Sequence, residues 1–368
     1  MSARNPGPEK LRVAVAMSGG VDSSVAAALL VEQGHEVIGL MLRLWSEPGA
    51  ERFNRCCTPE AMALARRVAA QLDIPFYVLD IRETFEQEIV QFFIDGYAQG
   101  ITPNPCLNCN RQIRFGALLR QAEALGAGSL ATGHYARTRR EGDRVRLLRG
   151  ADPHKDQSYA LCMLTQEKLR HAMFPVGEFT KPEVRDLARK FGLPTAERSD
   201  SQDLCFLAGG DYRDFLNRRA PEIAAPGEIV DPAGKWIGEH AGLPFYTYGQ
   251  RKGLGVHAPE PVYVLEKDLA ANRLVVGPRE AVRVDALSAD QVNWVAEGRP
   301  GRGDRVEAQV RYTARPVPAA IATADEDQFS IHFDEPVHGL TPGQAAVLYR
   351  GDEVLGAGII RTTGRAGR

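Results

Sequence analysis

The stretch that most constrains this chain is Ala16-Met17-Ser18-Gly19-Gly20-Val21-Asp22-Ser23-Ser24. Leu11 to Ala16 before it is an almost unbroken apolar run containing Val13 and Val15. That run reads as a strand buried on both faces, as in a parallel sheet. Val21 to Gln33 carries apolar residues at helical spacing and ends at Gly34, a stop signal. A strand, a small polar turn and a helix N-terminus together form an anion cradle. The first helical N–H groups lack intrahelical partners, and the positive end of the dipole faces the turn. Gly19 and Gly20 let a ligand approach the backbone with no Cβ in the way, while Ser18, Ser23 and Ser24 add hydroxyl donors. Asp22 is a poor phosphate ligand by itself and a good one for a phosphate-bound Mg²⁺. No lysine follows the glycines, so this is not the common P-loop. The plainer alternative is a tight strand-to-helix turn of small residues. The whole Ser-Gly-Gly-x-Asp-Ser string in this context favours nucleotide binding.

A chain of 368 residues has room for two or three domains. After the first helix, Glu36 to Leu42 reads as a second buried strand, Pro59 to Leu72 as a helix and Ile74 to Leu79 as a third strand. Helices are expected over Phe85 to Tyr97 and Arg111 to Leu125, and Ser129 to Ala131 opens a fourth strand ending at Gly133-His134. Strands alternating with helices imply a parallel sheet with right-handed crossovers. Ligands of such sheets sit at the carboxyl ends of the strands, which places Ser18 to Ser23, Leu42 and Gly133-His134 on one rim. From about Asp211 the texture changes. A helix over Asp211 to Arg219 is followed by a hairpin over Glu228 to Ile237, and beyond residue 281 short β-type runs recur between turns. The expected fold is therefore α/β: a parallel-sheet catalytic domain over residues 1–210, a small mixed or β central domain over 211–280, and an all-β barrel or sandwich over 281–368.

Composition narrows the setting. Hydrophobic content of 44% and charged content of 25% are those of a soluble globular protein. No apolar run approaches the ~20 residues that span a bilayer, and residues 1–10 form a polar tail with no apolar signal core, so a cytoplasmic protein without membrane contact is expected. The formal charge of −2 means that any nucleic-acid site is a local patch. Six cysteines in such a chain are buried, catalytic or metal-binding rather than a disulfide scaffold.

Four further stretches concentrate chemistry. In Thr102-Pro103-Asn104-Pro105-Cys106-Leu107-Asn108-Cys109-Asn110, two prolines and two asparagines stiffen a loop before a helix. Cys109 then lies near a helix N-terminus, where the dipole lowers a thiol pKa. The Cys106/Cys109 spacing suits half a zinc site, a redox pair or chance; Cys56-Cys57 are adjacent and make a poor second half. Asp200 to Phe206 surrounds Cys205 with polar and acidic residues. A lone cysteine is structural by default, but a second primed cysteine and the cradle make Cys205 a candidate catalyst. Lys155-Asp156-Gln157-Ser158-Tyr159 gathers polar groups at an expected helix start, and Gly249 to Gly255 is a glycine-rich basic loop. Between Arg137 and Arg149 six arginines face two acids, a cluster best read as a solvated hairpin. Arg311-Tyr312 pairs a phosphate contact with a stacking ring, or is simply a strand pair.

The Ser-Gly-Gly-x-Asp-Ser turn resembles the PP-loop of the ATP pyrophosphatase superfamily, whose fold is adenine nucleotide alpha hydrolase-like. The strings SGGVDSSV, GLMLRLW, TPNPCLNCNRQIRF, ATGHYAR, KDQSY, FPVGEFTKPEVR, SQDLCF, YTYGQRKGLG, VRYTARP and TPGQAAVLY run in order over nearly the whole chain and resemble the tRNA-specific 2-thiouridylase family. The resemblance implies sulfur insertion at C2 of the wobble uridine in tRNAs for Lys, Glu and Gln. It implies ATP and Mg²⁺ as cofactors and a sulfur donor, either a cysteine desulfurase or a sulfur-relay protein, as partner. A monomer is expected. Matched residue by residue, Ala16, Met17, Ser18, Gly19, Gly20, Val21, Asp22, Ser23, Leu42 and Gly133 fall on the ATP contacts, with Leu42 where relatives usually carry Met. Asn104, Pro105 and Cys106 fall on the segment facing the target base. His134, Lys155, Asp156, Gln157, Arg311, Tyr312 and Gln344 fall on tRNA contacts, and Cys109 and Cys205 on the catalytic pair. Cys106 departs from relatives that carry Asp there.

In the chemistry the resemblance implies, adenylation turns the uridine C2 oxygen into a leaving group and sulfur carried as a persulfide on Cys205 replaces it. Cys109 helps to release that sulfur, by a disulfide with Cys205 or as hydrosulfide. The alternative is a 4Fe–4S cluster on Cys106, Cys109 and Cys205 that leaves one iron to bind sulfide. Competing functions are another PP-loop ATP pyrophosphatase, disfavoured by the lack of a glutaminase region, and a non-catalytic tRNA- or nucleotide-binding protein, disfavoured by the paired cysteines.

Overall fold

The computed structural model describes residues 10–47, 58–199, 204–207, 209–258 and 260–364. They fall into two compact units: Met1–Glu86 with Leu107–Gly209, and Gln87–Cys106 with Gly210–Arg368.

The first unit is built on a five-stranded sheet of β1 (Arg12–Ala16), β2 (Glu36–Arg43), β3 (Phe76–Asp80), β4 (Ser129–Ala131) and, beyond an antiparallel hairpin of β5 (Ala136–Glu141) and β6 (Arg144–Arg149), β7 (Ala172–Met173). The order is β3-β2-β1-β4-β7 and every pairing is parallel. Val13 and Val15 of β1 are fully buried, each contributing roughly 1.5–3 kcal/mol. Helix α1 (Val21–Glu32) is buried along most of its length, and the small side chains of Ala26, Ala27 and Ala28 permit close packing. Val184 and Ala188 of the helix Lys181–Lys190 join the same core. Helix α2 (Pro59–Gln71) starts at Thr58, whose side chain accepts the Ala61 N–H, and adds Ala61, Ala65 and Val68. The basic stretch from Arg137 to Arg149 is the expected hairpin, β5–β6; Arg139 and Arg140 are exposed, while Arg137, Arg144, Arg146 and Arg149 are half-buried.

The second unit holds a four-stranded sheet and a closed barrel. The sheet contains β8 (Gly227–Val230), β9 (Trp236–His240), β10 (Tyr263–Asp268) and β11 (Arg273–Gly277) in the order β10-β11-β8-β9. The barrel strands are β12 (Arg283–Trp294), β13 (Arg305–Gln309), β14 (Val317–Ala324), β15 (Gln328–His338), β16 (Ala345–Arg350) and β17 (Glu353–Gly364). They run β12-β15-β14-β13-β16-β17, and pairing of β12 with β17 closes the ring, which leaves these strands no open edge. Alternate residues such as Leu287, Ala289, Phe329, Ile331, Ala346 and Leu348 fill it.

Residues 87–106 group with this unit although they precede it by a hundred residues. Phe93 meets Phe215 edge-on at 6.1 Å, Tyr97 stacks on Tyr212 at 5.0 Å, and the Thr102 N–H donates to the Pro342 carbonyl.

Candidate functional site

The order of the parallel sheet reverses between β1 and β4, and in such sheets the crevice at the strand carboxyl ends beside that switch is where ligands sit. β1 delivers the turn from Met17 to Gly20, and β4 delivers Thr132 and Gly133. Gly19 has φ of +71°, and a Cβ there would lie 2.3 Å from the Ala61 carbonyl oxygen, so glycine is required. Gly20 precedes α1 with no side-chain cap, which leaves the first-turn N–H groups for an anion. The Gly20 carbonyl accepts the Ser24 N–H at 3.2 Å and the Ser24 hydroxyl at 2.8 Å, and the Ser23 hydroxyl accepts the Ser18 N–H at 3.2 Å. A Cβ on Gly133 would lie 2.7 Å from the Ser23 nitrogen, so the β4 end abuts the first turn of α1. Leu42, half-buried, sits near the carboxyl end of β2. These features suit a polyphosphate.

Three side chains without a strong sequence signal close the cradle. Lys181 Nζ lies 2.7 and 2.9 Å from the two Asp22 carboxylate oxygens, and the Tyr135 hydroxyl donates to Oδ1 at 2.6 Å. Arg198 Nη1 donates to the Gly19 carbonyl at 2.6 Å. The Lys181 N–H donates to Asp152. Against the upward push of burial, that bond and one from the His154 N–H hold the Asp152 carboxyl below the ordinary range. Tyr135 lies one residue beyond Gly133-His134. Lys181 follows Thr180 in a capping box closed by Glu183, and Thr-Lys-Pro-Glu was a legible helix start. Arg198 carried no local signal.

The thiol-bearing segment differs from expectation. Pro105–Asn108 is already helical and runs into a wide-turned helix over Cys109–Leu118, kinked at Phe115. The loop expected over Pro105 to Asn108 is therefore the first helical turn. Proline is pre-set for the first helical position, and the Asn104 side chain accepts the Cys106 N–H at 3.2 Å as a capping residue does. Cys109 begins the second turn, where the dipole has largely faded. The helix carrying Cys109 is fastened to the β4 end. Asn110 donates to the Ala160 carbonyl at 2.8 Å, and Arg114 Nη1 lies 2.9 Å from His134 Nε2. Guanidinium only donates, so Nε2 accepts, and the proton of the neutral ring sits on Nδ1, which donates to Thr132 Oγ1 at 2.7 Å. Burial first, and the Arg114 charge second, hold the His134 pKa well below its ordinary value. His134 is buried, and its ring fastens this helix to the β4 end.

Cys205 opens a short turn, Cys205–Leu207, anchored by Phe206 against Phe85 at 6.4 Å. Cys109 and Cys205 are both part-exposed, Cys106 is exposed and Cys162 is buried, and burial pushes the Cys162 thiol far up. Cys56, Cys57 and residues 200–203 lie outside the described residues. Among the described residues no three His, Cys, Asp or Glu side chains are gathered to hold a metal ion. A Mg²⁺ held chiefly by phosphates asks less, one or two carboxylates, and Asp22 stands where that is met.

Of the expected RNA contacts, Asp156 accepts from Arg149, the Gly150 N–H and both donors of Ser158, and Gln157 accepts the Tyr135 N–H. These two hold the turn behind the β4 end, and Lys155 beside them is half-buried. Arg311, Tyr312 and Gln344 do come together. They line a pocket of about 640 Å³ within the second unit, with Thr102, Tyr212, Arg213, Tyr248, Gln250 and Lys252. Arg311 donates to the Gly339 carbonyl and to Thr341 Oγ1, and Gln344 Nε2 donates to the Thr102 carbonyl at 2.9 Å. Tyr312 and Lys252 are exposed. Cationic side chains interleaved with aromatic rings suit unstacked RNA.

Comparison with known proteins covers both units. Residues 11–209 match the tRNA methyl transferase HUP domain, 213–278 the tRNA methyl transferase PRC-barrel domain and 284–360 the aminomethyltransferase beta-barrel domain. A tRNA-specific 2-thiouridylase MnmA of Moorella thermoacetica is 49% identical over 353 residues, 95% of this chain and 99% of that one. Proteins of the same name from Heliobacterium modesticaldum and Geobacter metallireducens are 49% and 48% identical, each over 95% of this chain and over 92% and 96% of their own. Among the described residues no helix is long and apolar enough to cross a membrane.

Proposed function

The chain belongs to the tRNA-specific 2-thiouridylase family, and from that premise we propose that it replaces the C2 oxygen of the wobble uridine in tRNAs for Lys, Glu and Gln with sulfur, using ATP. One observation carries the reading: Gly133 of the β4 end abuts the first turn of α1, and the adjacent His134 ties the Cys109 helix to that same end. The anion cradle and the helix that begins at Cys109 are thus fastened to the same β4 end.

ATP supplies the adenylyl group that converts a poor leaving oxygen into AMP; Asp22 would hold Mg²⁺, which would supply charge stabilisation for the departing pyrophosphate. The first-turn N–H groups of α1 and the hydroxyls of Ser18 and Ser23 hold the polyphosphate. Gly19 and Gly20 let it lie against the backbone, while Leu42 and Gly133 border the nucleoside. Asn104, Pro105 and Cys106 face the uridine, which leaves the anticodon stack to react. Cys205 carries the incoming sulfur as a persulfide delivered by a cysteine desulfurase or relay protein. Cys109 attacks the Cys205 sulfur and frees the terminal sulfur for C2, leaving a Cys109–Cys205 disulfide for an external thiol to reduce. Arg311, Tyr312, Gln344 and the basic Gly249 to Gly255 loop grip the RNA, with His134, Lys155, Asp156 and Gln157 as further tRNA-contacting positions.

The test is a reconstituted assay with the full chain, unmodified tRNA, Mg²⁺·ATP and a persulfide donor, following AMP release and 2-thiouridine by mass spectrometry. Both should appear together and require tRNA. AMP formation indifferent to tRNA, or RNA unchanged after complete ATP turnover, would overturn the reading.

A further inference from the structure

Lys181 occupies a place that helix electrostatics opposes. The reciprocal bonds of Thr180 and Glu183 fix it as the first residue of the helix Lys181–Lys190, where the positive dipole end repels a cation. Its ammonium reaches Asp22 in the first turn of α1, a second positive helix end. Its side chain is only 10% exposed. A desolvated ammonium persists there only against a strong counter-charge, and Asp22 provides it, with the Tyr135 hydroxyl on the same oxygen and the Tyr135 ring centroid 5.7 Å from Nζ. The lysine thereby engages the Asp22 carboxylate, which would hold Mg²⁺.

We infer that Lys181 is a transferable cation: it holds Asp22 while the cradle is empty and moves onto the β- and γ-phosphates when Mg²⁺·ATP enters, releasing the carboxylate to the metal. The inference rests on the reading of the cradle as an ATP site. The exchange keeps every charge paired. Before binding, Lys181 neutralises Asp22. Afterwards Mg²⁺ neutralises Asp22 and part of the polyphosphate, and Lys181 takes up a share of the remaining negative charge. The backbone need not move, because Asp152 holds the Lys181 N–H at 2.9 Å while the four-carbon stem carries a freely turning ammonium. AMP lacks the β- and γ-phosphates and makes no demand on Lys181.

Calorimetry with ATP and with AMP, and Mn²⁺ binding by electron paramagnetic resonance without nucleotide, would be measured on the full chain. Lys181→Met should lose about tenfold or more in ATP affinity, the worth of a charge-assisted contact. Its AMP affinity should stay near wild type, and it should bind Mn²⁺ more tightly because nothing competes for Asp22. Lys181→Arg should keep most ATP affinity but bind Mn²⁺ more weakly, since a two-pronged guanidinium grips the carboxylate harder. Parallel loss of ATP and AMP in Lys181→Met, or weaker Mn²⁺ binding there, would show a structural prop and overturn the inference. Should Lys181→Met not fold, unchanged Mn²⁺ affinity in Lys181→Arg overturns it alone. A wild-type chain that binds no ATP overturns the cradle reading itself.

Discussion

Two buried bases show how single residues carry a pH signature. His134 is neutral in the folded chain because burial and Arg114 depress its pKa, whereas the unfolded chain titrates it at about 6.5. Below that pH the unfolded state binds the extra proton, so this group erodes stability as pH falls through 6.5 and costs nothing above it. Urea unfolding between pH 5 and 7.5 should show a shallower decline for His134→Gln than for wild type. Lys267 is 6% exposed, its Nζ meets no acceptor, and it lies 5.8 Å from the Tyr248 ring centroid. Burial lowers its pKa to about 8 from an ordinary 10.5. The penalty for its charge is full below pH 8 and fades as the unfolded chain too loses the proton, so stability should rise from pH 8 toward 10. Lys267→Met should remove that rise and gain up to about 3 kcal/mol at pH 7, a difference that denaturant midpoints at pH 7 and 9.5 would register.

At the scale of elements, the turn between β1 and α1 and the basic wall of the second-unit pocket make separate predictions. Gly19→Ala forces a left-handed residue and a Cβ into the Ala61 carbonyl. A strain of about 1–2 kcal/mol together with that displacement should lower ATP affinity about tenfold or more, with AMP weakened too because the whole turn shifts. Wild-type affinity by calorimetry would show that the turn does not shape the site. In the pocket, Lys252 is exposed while Arg311 also props Gly339 and Thr341. Lys252→Ala should reduce the slope of log tRNA affinity against log salt by about one phosphate contact at unchanged melting temperature. Arg311→Ala should do the same and lower the melting temperature as well. A salt slope untouched in both variants would remove this pocket from the RNA path.

For the whole molecule, the cradle and the two proposed sulfur-carrying thiols belong to the first unit, so adenylation and sulfur transfer should separate by mutation. Cys109→Ser and Cys205→Ser should each cut 2-thiouridine formation by roughly 10³-fold or more while still releasing pyrophosphate in the presence of tRNA. Cys106→Ala should keep substantial thiolation, and Cys106→Asp should be milder still, because a carboxylate can take the place of one thiolate. Loss of thiolation in Cys106→Ala together with loss of protein-bound iron would instead favour the cluster chemistry. Radiolabelled pyrophosphate release beside nucleoside mass spectrometry separates these outcomes.

The sequence by itself determined the parallel sheet, the cradle and the family. The apolar run from Leu11 to Ala16 reads as a strand buried on both faces, and the Gly-Gly turn before an apolar-periodic helix is a local pattern. Strands of weak pattern escaped it: β14, Ala-rich with Pro318, and β12, studded with polar residues, take strand form because closing the barrel pairs them on both sides. Only the tertiary structure decided which polar residues pair with one another. His134, Asp156 and Gln157 look in sequence like Arg311 and Gln344, yet the first three bond to groups around the β4 end whereas the last two line the second-unit pocket. Lys181 and Arg198, 159 and 179 residues away from their partners in the chain, reach the cradle only because the sheet brings the helix Lys181–Lys190 against α1. Local patterning sets an element's type; the pairing of charges across such separations depends on packing, which no window of sequence contains.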